Sequence, residues 1–205
     1  MTRAAALAGK LRGPVSDERV LAAIASIPRE RFVPRGARRR AYANQALPID
    51  CGQTISQPLV VARMLELLAL RPSDRVLDVG TGSGYHAALL SLLAAEVWTI
   101  ERHSELSSQA AEAIGGLGIE NVSFIVGDGR EGFAACAPYD AINIAAAAGD
   151  SVPAALETQL AAGGRLVAPV GEPEQRLVLV RRGADGAVER SERDGVRFVP
   201  LVRDG

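Results

Sequence analysis

Lysine is almost missing from this chain of 205 residues: Lys10 is the only one, and the other basic side chains are arginines. A lysine nucleophile or Schiff base in the body of the fold is thereby excluded. Histidine is scarce as well, with only His86 and His103. Neither belongs to a Ser-His-Asp arrangement, which argues against a hydrolytic triad. Cys51 and Cys136 lie far apart, so there is no CxxC pair and no zinc-ligand spacing. Such sparse cysteine suits a reducing compartment. The formal net charge is −1, so no global field points to nucleic acid or a membrane surface. No apolar run is long enough to span a bilayer. The Ala-rich first twelve residues lack the core of a signal peptide. We therefore expect a cytoplasmic monomer with neither nucleic acid nor membrane among its partners; no coiled coil or swapping element is evident.

What is present is a chain that is 48% hydrophobic, enough for one α/β domain with a modest addition. Residues 1–14 read as loose. Asp17 to Ile27 has helical spacing, with Ser16 or Asp17 as its cap and Pro28 as its stop. Residues 41–58 mix Pro, Gly, Asn, Gln and Thr without a period and read as an ordered loop of the kind that carries function. Leu59 to Leu70 returns to helical spacing. Strands are expected at 75–79, 96–100, 122–126, 141–145, 165–169, 176–181 and 197–202, and helices at 84–94, 104–114 and 152–160. Alternation of this kind implies a mostly parallel sheet with helices on both faces. After Gly171 only the turn at 182–186 intervenes, so an antiparallel pair should close one edge. Residues 1–58 form a helical and loop extension of the same domain, and 59–205 its core.

The densest signal is Val76-Leu77-Asp78-Val79-Gly80-Thr81-Gly82-Ser83-Gly84-Tyr85. An apolar strand ends near an acid, three glycines alternate, and a helix follows. Glycine lets bare backbone approach a ligand, and the free N–H groups of the next helix favour an anionic group there. A dinucleotide fingerprint would need glycine where Tyr85 stands, and a phosphate-binding P-loop would need a lysine. Glu101 ends the second strand about 20 residues on, where a carboxylate can accept both ribose hydroxyls. Asp128, within Gly127-Asp128-Gly129, ends the third strand and can accept from an adenine amine. Each acid alone reads as a helix cap or turn carboxylate. Three at successive strand ends beside a glycine loop point to a nucleoside cofactor.

The E/D-x-G-x-G-x-G pattern closely resembles that of class I, Rossmann-like S-adenosylmethionine (SAM) methyltransferases. Upstream, Arg29-Glu30-Arg31-Phe32-Val33-Pro34, Ala41-Tyr42, Leu47-Pro48-Ile49 and the more specific Gly52-Gln53-Thr54-Ile55-Ser56-Gln57-Pro58 resemble the protein-L-isoaspartate (D-aspartate) O-methyltransferase family. Downstream, Gly163-Gly164-Arg165-Leu166-Val167, Pro169-Val170-Gly171 and Phe198-Val199-Pro200-Leu201 agree. The resemblance runs from about residue 16 to 202.

It implies a SAM-dependent enzyme that methylates the α-carboxylate of isoaspartyl residues in damaged proteins and peptides, the ester then closing to a succinimide. Ser56 would be the active-site serine, with Thr54 beside it. Asp78, Gly80, Thr81, Gly82, Ser83, Gly84, Glu101, Arg102, Asp128 and Gly129 would hold SAM. Ile55, Gln57, Ala145, Phe198, Val199 and Pro200 would border the acceptor. A carboxylate is already ionised at neutral pH, so this transfer needs no general base. Of the remaining candidates, His86 reads as a helix residue beside the loop, Trp98 as core, Cys51 as a small buried residue, and Arg38-Arg39-Arg40 as a solvated face. Asp50, Leu59, Asn44 and Ala145 (in Asn143-Ile144-Ala145-Ala146) depart from the family pattern, all on the acceptor side. They leave two alternatives: a relative that methylates one dedicated aspartate or small carboxylate, and a SAM-binding paralogue without turnover.

Overall fold

The computed structural model describes residues 1–202. Helix α1 (Arg3–Leu11) corrects the expectation of a loose N-terminus. Its apolar stripe is short, Ala4, Leu7, Ala8 and Leu11, and Leu7 and Leu11 are buried. A nine-residue helix is marginal alone, and packing on α2 (Glu18–Ser26) is what holds it. Asp17 caps α2 through the N–H of Arg19.

Residues 41–58 contain a two-strand hairpin, β1 (Leu47–Pro48) and β2 (Thr54–Ile55). Its turn uses left-handed backbone at Cys51 (φ 54°) and Gly52 (φ 68°). Cys51 is exposed there, not buried as its small size suggested. Helix α3 (Pro58–Leu68) starts on a proline whose fixed φ suits the first turn.

The core alternates as expected: β3 (Arg75–Val79), α4 (Tyr85–Ser91), β4 (Glu96–Glu101), α5 (Ser104–Gly115), β5 (Val122–Val126), β6 (Tyr139–Ile144), α6 (Ala154–Thr158), β7 (Leu160–Val170), β8 (Gln175–Arg182) and β9 (Val188–Val196). The sheet order is β5-β4-β3-β6-β7-β8-β9, parallel as far as β7 and antiparallel after it. Two differences come from the tail. Helix α6 ends at Thr158 because β7 begins at Leu160. The last strand is Val188–Val196, not 197–202. Beyond Val196 the chain turns across the sheet's end. The Gln175 amide substitutes for a strand neighbour, accepting from Phe198 N at 2.6 Å and donating to Phe198 O at 3.2 Å. Ala147 then bonds Val199 O and Leu201 N at 2.8 and 2.7 Å.

Side chains alternate across the sheet and build two cores. Val76, Val97 and Ala141 face α1 to α4, and Leu77, Ile142 and Leu166 face the other side. Trp98 is half-buried, with Tyr139 edge-on at 5.7 Å and the Arg75 guanidinium over its ring at 4.8 Å. The chain leaves β3 for β4 and β5, then returns to β6 on the other side of β3. That reversal opens a crevice at the carboxyl ends of β3 and β6, where open α/β sheets bind ligands.

Candidate active site

The glycine loop after β3 has φ of +91° at Gly80, +50° at Gly82 and +85° at Gly84, a backbone that side-chain-bearing residues rarely adopt. It is stitched to β4. Gly80 N donates to Ile100 O at 2.9 Å, and Gly82 N donates to the Glu101 carboxylate at 2.9 Å. Gly84 serves packing between helices. A Cβ there would meet Ala110 Cβ at 2.9 Å, so the glycine lets α4 lie against α5. Ser83 Oγ accepts from Tyr85 N at 3.3 Å in the first turn of α4.

Asp78 is wholly buried beneath this loop. The sheet register sets it level with Thr99 on β4 and Asn143 on β6, so the three side chains share one face. Thr99 Oγ1 donates to Asp78 at 2.9 Å and Asn143 Nδ2 donates at 2.7 Å. The hydroxyls of Thr99 and Thr81 lie 2.6 Å apart and carry the row up to the loop. Asp78 thus supports the loop from below and does not line the crevice.

A cleft of about 70 Å³, open to solvent, lies above. Gly80, Gly82, Glu101, Arg102 and Gly129 form one wall, and Thr54, Ala145, Val199 and Pro200 another. A smaller recess adjoins it, walled by Ile55, Ser56, Thr81, Ser83, Tyr85 and His86; the two spaces share Thr54, Gly80, Gly82 and Ala145. The hairpin β1–β2 therefore brings Thr54 and Ser56 to the glycine loop, and Ile49 Cδ1 approaches the position of a Gly82 Cβ at 3.8 Å. Five expected residues fall outside both spaces: Asp78 and Gly84, placed above, and three more. Asp128 lies beside cleft-lining Gly129, its carboxylate accepting from Arg130 N at 2.8 Å. Gln57 faces a surface groove with Leu59. Phe198 lies where the chain turns toward the cleft.

Several participants escaped the sequence reading. Gln53, Ile100, His103, Ala146 and Leu201 also line the cleft. Arg29 is fully buried and donates to Ser56 O at 2.7 Å; the only signal for it was its place in the Arg29–Pro34 motif. Two departures from the family pattern find partners. Asn44 Oδ1 accepts from Leu59 N at 3.0 Å in the first turn of α3, and Asp50 accepts from Gln109 at 3.0 Å.

The residues suit a charged nucleoside such as SAM. The loop glycines leave room for close approach, and Glu101 still has accepting capacity toward the cleft. Thr54 and Ser56 stand on the other side, at the wall of the recess. Neutral donors can orient a carboxylate without quenching it as an arginine fork would. Transfer cancels the charges of an anion and a sulfonium, so any water these walls displace would favour it.

Two buried titratable groups flank this loop in the chain, Asp78 on the strand before it and His86 in the helix after it. Burial pushes the Asp78 carboxyl up to about 6, against the Asn143 and Thr99 hydrogen bonds. Burial pushes His86 down to about 4. Folded Asp78 holds its proton more tightly than the unfolded chain does, so its contribution is intact near pH 4 and lost as the pH rises to 6. Asn143 Oδ1, buried without a partner, could accept that proton after one amide rotation. His86 works the other way: its contribution is intact above pH 6.5 and lost as the pH falls toward 4. Each amounts to about 3 kcal/mol, and in the parent protein the two slopes oppose one another. Urea denaturation across pH 4 to 7 should show Asp78→Asn gaining on the parent as the pH rises, and His86→Gln gaining as it falls. Curves parallel to the parent would contradict both assignments.

The sequence model of the family described as "Protein-L-isoaspartate(D-aspartate) O-methyltransferase (PCMT)" matches residues 4–205. A protein-L-isoaspartate O-methyltransferase from Koribacter versatilis (strain Ellin345) is 54% identical over 92% of this chain and 84% of its own. A solved protein-L-isoaspartate O-methyltransferase superposes with a TM-score of 0.83 at 31% identity, over 95% of this chain and 64% of that one. A Plasmodium falciparum protein in complex with S-adenosyl-L-homocysteine superposes at 0.84 over 100% of both chains. At 24% identity it speaks for the fold alone.

Proposed function

This chain belongs to the protein-L-isoaspartate O-methyltransferase family, and from that premise we propose that Thr54 and Ser56 hold the isoaspartyl carboxylate against a methyl donor seated on the glycine loop. The chain is a SAM-dependent carboxyl methyltransferase acting on isoaspartyl proteins and peptides. The observation that carries the residue assignment is the junction of cleft and recess, where Thr54, Gly80, Gly82 and Ala145 belong to both.

SAM supplies a methyl group activated by a sulfonium. The protein's own task is positioning. The carboxylate arrives ionised, so no side chain need take a proton, and alignment with the methyl is the main barrier to be lowered. Glu101 would accept the ribose hydroxyls and Asp128 the adenine amine, and Arg102, Thr81 and Ser83 would complete the cofactor side. Ile55, Ala145, Val199 and Pro200 shape the acceptor side, with Gln57 and Phe198 at its rim. The ester product has a leaving group that a carboxylate lacks. The neighbouring backbone nitrogen can attack the ester carbonyl, release methanol and close the succinimide. We read residues 1–58 as the acceptor-side part of one domain, and the protein as a cytoplasmic monomer. Nucleic acid and membrane are not among its partners in this reading. Among the described residues no helix is long and apolar enough to cross a membrane.

The test pairs isoaspartyl and aspartyl peptides of one sequence with labelled SAM. Transfer to the isoaspartyl form alone is expected. Transfer to neither, or to both alike, would overturn the reading in favour of a dedicated acceptor or a silent paralogue. Relatives half identical over nine-tenths of the chain do not favour either.

A further inference from the structure

Arg29 is an expensive residue for its position. Its side chain is fully buried, and no carboxylate contacts it among the described residues. A buried cation without a counterion is poorly stabilised, and an apolar side chain would fill the space at lower cost. What Arg29 does have is a specific set of neutral partners. Nε donates to Ala41 O at 2.8 Å, and Nη2 donates to Ser56 O at 2.7 Å. The guanidinium lies 4.7 Å over the ring of Tyr85.

These partners belong to different parts of the site. Ala41 and Ser56 bracket the segment that carries the β1–β2 hairpin. The Ser56 carbonyl belongs to the peptide plane that sets where the Ser56 Cβ points. Tyr85 is the first residue of α4, directly after Gly84, so its ring is fixed to the cofactor loop. Phe32, in the same 3-10 turn as Arg29, packs edge-on to that ring at 5.5 Å. One rigid planar fork therefore ties the acceptor segment to the cofactor loop. Lysine could not replace it, because a single ammonium cannot bridge two carbonyls in one plane while stacking on a ring.

We propose that Arg29 is a positioning residue, acting through the Ser56 carbonyl and the Tyr85 ring to hold the Ser56 hydroxyl in register with the glycine loop. The proposal rests on the reading of Ser56 as the group that holds the acceptor. It differs from a purely structural role in one respect. Misalignment by about 1 Å costs on the order of 10² in turnover without removing any group that touches the cofactor.

The experiment measures kcat and KM on an isoaspartyl peptide, the SAM dissociation constant by calorimetry, and the melting temperature, for the parent, Arg29→Lys, Tyr85→Leu and Arg165→Lys. Arg165 is the control: it is also largely buried and also bonds carbonyls, those of Leu68, Ala69 and Asp140, but at the opposite end of the sheet. Arg29→Lys should lower kcat by about 10²-fold, with SAM affinity changed less than about threefold. Tyr85→Leu, which removes the stacked ring and leaves both carbonyl bonds, should lower kcat by about tenfold. Arg165→Lys should lower the melting temperature and leave kcat near that of the parent. If Arg29→Lys does not fold, Tyr85→Leu decides. A folded Arg29→Lys or Tyr85→Leu protein with parental kcat overturns the proposal, as does equal loss of SAM binding and turnover. An inactive parent would instead overturn the functional reading on which it rests.

Discussion

Ser56→Ala is expected to lower kcat on an isoaspartyl peptide by about 10²-fold, with the SAM dissociation constant unchanged to within about threefold. The split follows from where the residue sits. Ser56 lines the recess and not the cleft, while Gly80, Gly82 and Glu101 line the cleft without help from it. The backbone of Ser56 is already held from behind by Arg29, so removing the hydroxyl should leave the hairpin in place. What disappears is one donor toward the acceptor carboxylate. A donor aimed at a reacting group in an enclosed site is worth more than the same bond in water, which is why a single oxygen can matter this much. Steady-state kinetics beside calorimetry would check it. A parallel loss of SAM affinity would mean that Ser56 serves the cofactor, and an unchanged kcat would leave Thr54 as the only hydroxyl of consequence.

The elements that could be read from the chain are those whose residues declare themselves locally. Strands β3 to β6 and the apolar centres of β7 and β8 are short apolar runs, and the glycine loop needs no tertiary information because alternating glycines after a strand have few other uses. The elements that could not be read depend on distant partners. Helix α1 carries a stripe too short to be convincing until α2 is set against it. The register row of Thr99, Asp78 and Asn143 exists only once β4, β3 and β6 are paired, so Asp78 looked like a ligand carboxylate when it is a buried support. Gly84 belongs to the glycine motif, and only the packing of α4 on α5 adds that Ala110 lies 2.9 Å from where its Cβ would be. The sequence predicts a strand over 197–202. Gln175 instead satisfies the backbone of Phe198 and lets the chain leave the sheet toward the cleft. The site was legible as two motifs; that they meet was not, because a hairpin of two-residue strands leaves no periodic trace.

Glu101→Ala should weaken SAM by about 10²- to 10³-fold, and Glu101→Gln by about tenfold, because charge-assisted hydrogen bonds contribute roughly 1.5–3 kcal/mol each. The carboxylate already accepts one backbone N–H on each oxygen, Gly82 at 2.9 Å and His103 at 3.1 Å. A carboxylate has about four accepting sites, so one per oxygen remains, a match for two neighbouring hydroxyls on one ribose. Alanine removes that pair and also releases Gly82, so the loop loses its tether to β4. Glutamine keeps one acceptor and presents a donor where the second was. Glu101 could instead act at a distance, by attracting the sulfonium charge. S-adenosylhomocysteine, which has the same ribose and no sulfonium, separates the two. A ribose contact predicts that both ligands weaken by the same factor in each variant. An electrostatic role predicts that SAM weakens and S-adenosylhomocysteine hardly changes. Calorimetry with both ligands reads the difference directly, and a loss confined to SAM would remove Glu101 from the ribose.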